Sequence, residues 1–313
     1  MSAGTAPPPA AVAGADAVPG SEPDPVDDAA VAFFAEHGWW AAPPILPHAM
    51  IDDAMAALGP FYAGVRERRL PPLAYMTDWV PGDGEDALRL NGYASLQSAA
   101  IDAIVRHPAI GRTAARLLGA ESVRLFHDRL IHKPAGLDGP KTTVGWHVDR
   151  AYWQTCTTTK LLTAWIPLTD CPDELGPLMV LDRSNHWAGN DWMRTAEETD
   201  LADLERRIDS QGAPLEPVRL ALAKGAVSFH HCLTVHGSAP NTADRARTAL
   251  AVHIQAAENR WRPYTLETGR AAMHLNDVVC RRDADGHPDY TDPAVFPVLW
   301  PPEAADGIAS SRR

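Results

Sequence analysis

Apolar and polar residues follow two different periods along this chain, and the period changes near residue 122. Before that point apolar positions recur every three to four residues, which is typical of amphipathic helices. Helices are predicted in VDDAAVAFFAEHGWW, in PHAMIDDAMAALGPFYAGVRERR after Pro47, and in SAAIDAIVRHPAIGRTAARLLG. Asp27 or Asp28 is expected to cap the first helix, and Gly38 to end it. Gly119 is expected to end the last one.

From residue 122 onward apolar positions alternate with polar ones, which indicates strands. The strand-like runs are SVRLFHDRLIHK, TTVGWHVD, KLLTAWIPLTD, PLMVLD, GAVSFHHC and RTALAVHIQA. Turn-forming residues separate them, and DWMRTAEETDLADLERRIDSQG predicts one polar helix between strands. Because strands and helices do not alternate regularly, we predict a mainly β fold with flanking helices, a sandwich or jelly roll. The Pro-, Asp- and Arg-rich stretch after about residue 260 is predicted to be irregular.

The ends of the chain differ in composition from its middle. Residues 1–27 are rich in Ala and Pro and lack the basic start of a signal peptide, so they predict a disordered leader. Residues 28–300 predict one domain, and 301–313 a flexible tail. No run of 18 apolar residues predicts a membrane span. The four scattered cysteines include no CxxC pair, which favours free thiols and a cytoplasmic location.

The net charge limits the kinds of partner. Acidic residues outnumber basic ones, 40 to 28, for a formal charge of −12. Nucleic acids and anionic membranes require basic surfaces, so neither is expected as the partner. A small-molecule substrate is compatible with this charge, and the sequence leaves the oligomeric state open.

The run TVGWHVDRAYWQ carries the first candidate chemistry, since His147 and Asp149 stand two residues apart. Side chains at i and i+2 of a strand share a face, so the pair offers two metal ligands. A third ligand is available in SFHHCLTVHGSAPN, which contains His230, His231 and His236. Two histidines and one carboxylate form the facial triad of non-haem Fe(II) oxygenases. An isolated HxD pair is nevertheless common by chance.

An arginine downstream strengthens the metal hypothesis. Arg247 follows His236 by eleven residues in a strand, where an inward guanidinium requires an anion. Arg245 shares the predicted face and competes for this role, although its spacing is less favourable. Adjacent His230 and His231 should face opposite ways and act as packed or hydrogen-bonded histidines. Two further residues are interpreted as structural, His186 in a turn and Cys232 as a buried filler.

Four segments together resemble a known family. They are HDRLIHKPAG, GWHVDRAYW, LLTAWIPLTDCPDELGPLMVLDRSNHW and KGAVSFHHCLTVHGSAPNTADRARTAL. From about residue 30 to 257, the chain resembles the phytanoyl-CoA dioxygenase family of Fe(II)/2-oxoglutarate-dependent oxygenases. The resemblance implies a double-stranded β-helix, that is, a cupin-like jelly roll, with helical flanks.

The resemblance also implies roles for individual residues. The implied iron ligands are His147, Asp149 and His236. The implied contacts of the 2-oxoglutarate co-substrate are Arg247, Ser238, Trp165, Arg129, Ile131 and Arg89. Many members carry a polar residue where Ile131 stands, and Arg89 matches only a distant basic contact. Candidate substrate contacts are His127, which shares a strand face with Arg129, together with Tyr152 and Trp153 beside the ligand strand.

These implications predict an enzyme that uses Fe(II), 2-oxoglutarate and O₂ to hydroxylate an unactivated C–H bond, releasing succinate and CO₂. The carboxylate of Asp149 argues against halogenation and for hydroxylation, desaturation or ring formation. With only four lysines, the chain favours a natural-product intermediate or an amino acid over an acyl-CoA, although an acyl-CoA or carrier-bound acyl hydroxylase is the alternative. A zinc hydrolase would have no use for Arg247, and a non-catalytic jelly-roll binding protein is the alternative of another class.

Overall fold

Two antiparallel sheets lie face to face in the computed structural model, which describes residues 26–136, 140–210, 212 and 215–302. The larger sheet has the order β1-β8-β5-β10-β3-β11, with β2 also paired to β3, and the smaller has the order β4-β9-β6-β7. The strands are β1 Trp39–Ala42, β2 Arg89–Gly92, β3 Val123–Lys133, β4 Val144–Val148, β5 Leu161–Pro167, β6 Met179–Leu181, β7 Pro217–Arg219, β8 Val227–His231, β9 Val235–Ser238, β10 Arg247–Ala256 and β11 Val298–Trp300. This is the predicted double-stranded β-helix.

The helices of the described residues are α1 Asp28–His37, α2 His48–Tyr62, α3 Ala94–Gln97, α4 Ala99–Val105, α5 Pro108–Leu118, α6 Asp149–Tyr152, α7 Leu201–Asp209 and α8 Asn276–Val279. Helices α6 and α7 pack against the smaller sheet, whereas α1, α2, α4 and α5 cover the outer face of the larger sheet. Phe34, Ile51 and Ile110 from these helices pack with Leu130 and Leu250 of the sheet in one buried cluster. Full burial of each such side chain contributes about 1.5–3 kcal/mol, so this layer is a main source of stability.

The predicted capping residues begin and end the helices at the predicted positions. The Asp27 carboxylate accepts a hydrogen bond from the Ala30 N–H at 2.8 Å, a cap that contributes about 1 kcal/mol. Gly38 and Gly119 end their helices in the left-handed conformation. The third predicted helix is two helices, because Pro108 starts a new one at its first position.

The predicted leader and tail lie largely outside the described residues. Val26 is buried in the core of the outer face, so the last two leader residues, Val26 and Asp27, take part in the fold. The stretch after residue 260 is irregular over most of its length, as predicted. Its end nevertheless returns to the core, where β11 pairs with β3 and Phe296 and Leu299 are buried.

The six predicted strand runs each contain a strand, but five short strands were not predicted. They are β1, β2, β7, β9 and β11. Three or four residues are too few to show a period of two, so the pattern cannot reveal them. The predicted polar helix between strands is confirmed in part, because the helix itself spans only Leu201–Asp209.

Strand register decides which side chains share the space between the sheets. In β3, β10 and β5, one face carries rows of directly opposed residues that point away from the helices. These rows are Lys133–Arg247, Ile131–Ala249–Pro167, Arg129–Ala251–Trp165 and His127–His253–Thr163. The charged and titratable candidates of these strands, His127, Arg129 and Arg247, therefore lie on the inner face, whereas Arg89 of β2 stands opposite His132 on the other face.

Two simpler expectations can be checked directly. All four cysteines are buried and free, and Cys232 is fully buried, as predicted. No helix within the described residues is long and apolar enough to cross a membrane.

Candidate active site

The smaller sheet brings the three predicted metal ligands together. His147 near the end of β4 stands directly opposite His236 on β9. Asp149 was predicted on the same strand as His147 but is the first residue of α6, where the chain leaves the strand. Its carboxylate still turns inward, and its Oδ1 lies 3.7 Å from His236 Nε2. One ligand atom from each of the three residues lies within 4.8 Å of the others.

Local hydrogen bonds fix both imidazole rings. His147 Nδ1 lies 2.8 Å from the Gly145 carbonyl oxygen, and His236 Nδ1 lies 3.0 Å from that of Thr234. A carbonyl can only accept, so in both rings Nδ1 carries the proton and Nε2 keeps its lone pair. Metal-bound histidines are usually oriented by a hydrogen bond of this kind from the other ring nitrogen.

The protonation states also suit a metal. Burial lowers the pKa of His147 to about 3 and that of His236 to about 4, so both rings are neutral near neutral pH. Burial acts to raise the pKa of Asp149, but His236 and the other surrounding histidines hold it well below its usual range. Neutral imidazoles and an ionised carboxylate are the forms that bind a metal cation.

Residues of the larger sheet orient the Asp149 carboxylate. The Thr163 hydroxyl donates to Asp149 Oδ2 at 2.7 Å and accepts from His253 Nδ1 at 2.7 Å. This chain of hydrogen bonds leaves Asp149 Oδ1 directed at the space between the two ligand histidines. Sequence reasoning missed Thr163 and His253, because only the β5–β10 register places them beside a residue of α6.

The two adjacent histidines of β8 face opposite ways, as predicted. His230 is buried with Nε2 at 3.5 Å from Asp149 Oδ2, and its ring lies 4.2 Å from that of His236. His231 packs near Phe34 on the helical side, and its Nδ1 accepts from the Leu233 N–H. His230 is therefore a neighbour of the centre that sequence reasoning had interpreted as packing.

The donor set fits a ferrous ion. Two imidazoles and one carboxylate are the facial triad of non-haem iron sites, which leaves positions open for other ligands. The described residues contain a second acidic and histidine cluster, Asp283, Asp285 and His287. That cluster is exposed, and Asp283 Oδ1 already accepts from the N–H groups of Asp285 and His287, so it is a turn.

Two buried cations, Arg247 and Lys133, lie on the same inner face, and we call this pair the cationic pole. Arg247 is 1% exposed, its Nη2 donates to the Gly176 carbonyl at 2.6 Å, and its guanidinium lies 5.3 Å from the Trp165 ring. Its Nε and Nη1 are buried without a partner among the described residues. Unpaired buried donors are costly, so these groups fit a carboxylate ligand.

Lys133 is a second buried cation that sequence reasoning missed. It stands directly opposite Arg247, is 0% exposed, and its Nζ donates to Ser238 Oγ at 2.7 Å and to the Ala239 carbonyl. Burial, followed by the charge of Arg247, lowers the pKa of Lys133 well below its usual range. The signal that could have revealed it is its spacing, because Arg129, Ile131 and Lys133 are two apart.

The structure separates the other candidates for this pole. Arg245 is exposed and lies outside the strand, 3.9 Å from Glu174, so it does not compete with Arg247. Ile131 packs in the apolar cluster that contains Trp165. Arg89 is not brought to the pole: it shares the opposite sheet face with His132 and stacks 4.2 Å from Trp79.

The substrate candidates surround the other side of the centre. Tyr152 contacts the His147 ring edge-on at 6.1 Å and remains half-buried. Trp153 is buried, with its ring 5.0 Å from that of His253. His127 stacks on His253 at 4.2 Å. His186 lies in a turn at the surface, where its Nε2 is 3.0 Å from the Glu36 carbonyl oxygen.

Fold and site together define a class, a double-stranded β-helix whose inner face carries a three-ligand metal centre and a buried cationic pole. The profile of the family described as phytanoyl-CoA dioxygenase (PhyH) matches residues 78–249, which is more than half of the chain. The chain belongs to this family, as the sequence resemblance predicted.

Several relatives extend the comparison. A probable alpha-ketoglutarate-dependent hypophosphite dioxygenase of Stutzerimonas stutzeri is 30% identical over 186 residues, which span 59% of this chain and 63% of the relative. The structure of the non-heme alpha ketoglutarate dependent carbocyclase SnoK from nogalamycin biosynthesis is 28% identical with a TM-score of 0.58, covering 76% of this chain and 87% of SnoK. EctD from S. alaskensis, with 2-oxoglutarate and 5-hydroxyectoine, is 22% identical with a TM-score of 0.60, covering 80% of this chain and 83% of EctD. Identity as low as that to EctD shows the shared fold alone.

Proposed function

We propose that this protein is an Fe(II)- and 2-oxoglutarate-dependent dioxygenase that hydroxylates an unactivated C–H bond of a small metabolite, releasing succinate and CO₂. One combination carries the proposal: two histidines with free Nε2 atoms face Asp149, and Arg247 offers unpaired buried N–H groups on the same inner face of the described residues. A hydrolase needs the ligands but not that arginine.

The ligands His147, Asp149 and His236 would hold the ferrous ion. When bound, the iron supplies activation of O₂ coupled to decarboxylation of the co-substrate. The far carboxylate of 2-oxoglutarate is received by Arg247, with Lys133 and Ser238 beside it. Trp165 and Ile131 supply apolar walls that exclude water from this pole.

The relatives support a small substrate, and they widen the range of outcomes. One is named for hypophosphite, a small oxyanion, and another for carbocycle formation on a natural product. Hydroxylation is the outcome we favour, because Asp149 occupies the ligand position of a complete triad. Hydroxylation of an acyl-CoA or a carrier-bound acyl group is the competing proposal. It is less favoured because the acidic chain has few lysines for the phosphates.

The test is anaerobic addition of Fe(II) and 2-oxoglutarate, followed by visible spectroscopy. We expect the charge-transfer band of the chelated co-substrate in the wild type and its loss in His147→Ala. The matched control is His186→Ala, which removes a surface histidine and should keep the band. A zinc hydrolase or a non-catalytic binding protein would give no band. Absence of the band in the wild type, or its survival in His147→Ala, would contradict the proposal.

A further inference from the structure

A stack of histidines leads away from the metal ligands on the inner face. His253, which is tied to Asp149 through Thr163, stacks on His127 with ring centroids 4.2 Å apart. His127 in turn meets His274 at 5.0 Å, edge to face. His127 is 6% exposed, and its Nδ1 is buried without a partner among the described residues. Such a group requires a ligand or an ordered water.

Arg129 lies in the middle of this region. It is two residues from His127 on the same face of β3, and directly opposite Ala251. Burial is the main cause that lowers the pKa of His274 to about 3, and the charge of Arg129 is the next. The Arg129 guanidinium therefore faces the histidine stack.

Within the described part of the chain, Arg129 has no carboxylate within 4.0 Å. Outside the metal centre, the charge of Arg129 acts to lower the pKa of Asp78. The Asp78 carboxylate already accepts a hydrogen bond from the Gly92 N–H at 2.8 Å. Burial raises the pKa of Asp78, which weakens it as a counter-charge. A partly desolvated guanidinium without a close anion is unfavourable, so this position suits an anionic ligand.

The region is reached from solvent. Arg129, His147 and His274 are each half-buried, whereas their neighbours Ala251 and Trp153 are buried. These three side chains keep contact with solvent, so a ligand can approach Arg129 from the surface.

The inner face has two cationic centres, and the co-substrate accounts for one. Lys133 and Arg247 form the first. Arg129 stands four residues along the strand from Lys133, which corresponds to about 13 Å of extended chain. The far carboxylate of 2-oxoglutarate occupies only one of these places, so the second is free for another molecule.

We propose that the substrate oxidised at this centre carries an anionic group, a carboxylate or a phosphonate, which Arg129 binds with hydrogen bonds from His127 and His274. This inference rests on the proposed function, and it reassigns Arg129 from the co-substrate to the substrate. The His253 ring stacks on His127, and its Nδ1 lies 3.9 Å from Asp149 Oδ2 on the other side. The oxidised C–H bond therefore lies within a few bonds of the anionic group.

The experiment uses the full chain, loaded anaerobically with Fe(II) and saturating 2-oxoglutarate. Propionate, methylphosphonate and the neutral propionamide are titrated, and each half-saturating concentration is read from the perturbed charge-transfer band. We expect at least one acid to bind at least tenfold more tightly than propionamide, and the two acids distinguish a carboxylate site from a phosphonate site. Arg129→Gln should weaken that acid at least tenfold and leave propionamide within twofold.

Arg206→Gln is the matched control, because Arg206 is an exposed arginine of α7 that pairs with Asp203 at 3.0 Å. It should change acid binding less than twofold. Equal binding of propionamide and both acids would overturn the inference, as would equal losses in Arg129→Gln and Arg206→Gln. A raised half-saturating concentration of 2-oxoglutarate in Arg129→Gln, with acid binding intact, would return Arg129 to the co-substrate. Loss of the band in the wild type would instead contradict the proposed function itself, whereas a retained band in Arg129→Gln shows an intact fold.

Discussion

Among single residues, the most unusual feature is a pair of buried cations that face each other. Lys133 and Arg247 stand in register with no carboxylate beside them in the described residues. Burial lowers the pKa of Arg247 to about 10, and it also lowers the pKa of Lys133. In the free protein the charged forms of both side chains are therefore disfavoured. Such a pair is unfavourable to the free protein and favourable to a bound dicarboxylate.

Lys133→Met should therefore move binding and stability in different directions. A hydrogen bond to a charged group contributes about 1.5–3 kcal/mol, so the half-saturating concentration of 2-oxoglutarate should rise at least about tenfold. The urea midpoint of the metal-free protein should stay equal or rise, because a buried cation is removed. Both are measured on the same preparation, by anaerobic titration and by urea unfolding.

Arg245→Met is the matched control, since it removes an exposed cation two residues from Arg247. It should leave 2-oxoglutarate binding within twofold. Unchanged co-substrate binding in Lys133→Met would show that Lys133 has a purely structural role.

Among the elements, a single turn connects the cationic pole to the smaller sheet. Gly176, which precedes β6, has φ +60°, and its carbonyl accepts from Arg247 Nη2. A Cβ there would lie 2.3 Å from the Ala239 carbonyl oxygen in the segment after β9. The turn therefore requires glycine both for its conformation and for the close approach of two backbones.

Gly176→Ala should destabilise the protein by at least about 2 kcal/mol and weaken 2-oxoglutarate binding, because the carbonyl that holds Arg247 must move. Gly189→Ala is a well-matched control: Gly189 has φ +76°, but a Cβ added there would meet nothing within 4 Å among the described residues. It should cost only the conformational strain, about 1–2 kcal/mol, and leave binding unchanged. Equal effects of the two variants on the urea midpoint would show that the close approach is unimportant.

Across the whole molecule, half-buried histidines outside the metal centre couple stability to pH. Burial lowers the pKa of His132 and His231 to about 4 and that of His274 to about 3. In the unfolded chain these three histidines have a pKa of about 6.5. Asp128 acts in the opposite direction, since burial raises its pKa to about 6 and favours the neutral acid in the folded state.

The free energy of unfolding should therefore fall as the pH is lowered from about 7 to about 5. In this window the unfolded chain binds more protons at the three histidines than the folded protein does, and they outnumber Asp128. A fully shifted group contributes at most about 1.4 kcal/mol per pH unit, and these partly exposed rings contribute less. Urea unfolding at several pH values measures the slope, and His231→Phe should make it shallower. A free energy that is flat or rises toward the acidic end would contradict this prediction.

Much of the architecture was predictable from local pattern. The helices around Phe34 and Ile110, and the long strands β3, β5 and β10, are indicated by sustained periods and capping residues. Short strands such as β1 and β9 were not, because four residues carry too little pattern. The three candidate metal ligands were also predictable, since His147, Asp149 and His236 lie in or beside segments whose pattern indicates strands.

The order of amino acids alone settled which chemical groups were available: two histidines and an aspartate for a metal, and an arginine for an anion. Folding was needed to establish that Lys133 opposes Arg247, that Thr163 and His253 orient Asp149, and that Arg89 lies on the other sheet face. The physical reason is strand register. Pairing between distant strands fixes which side chains meet, and shifting it by one residue would send each of them to the opposite face.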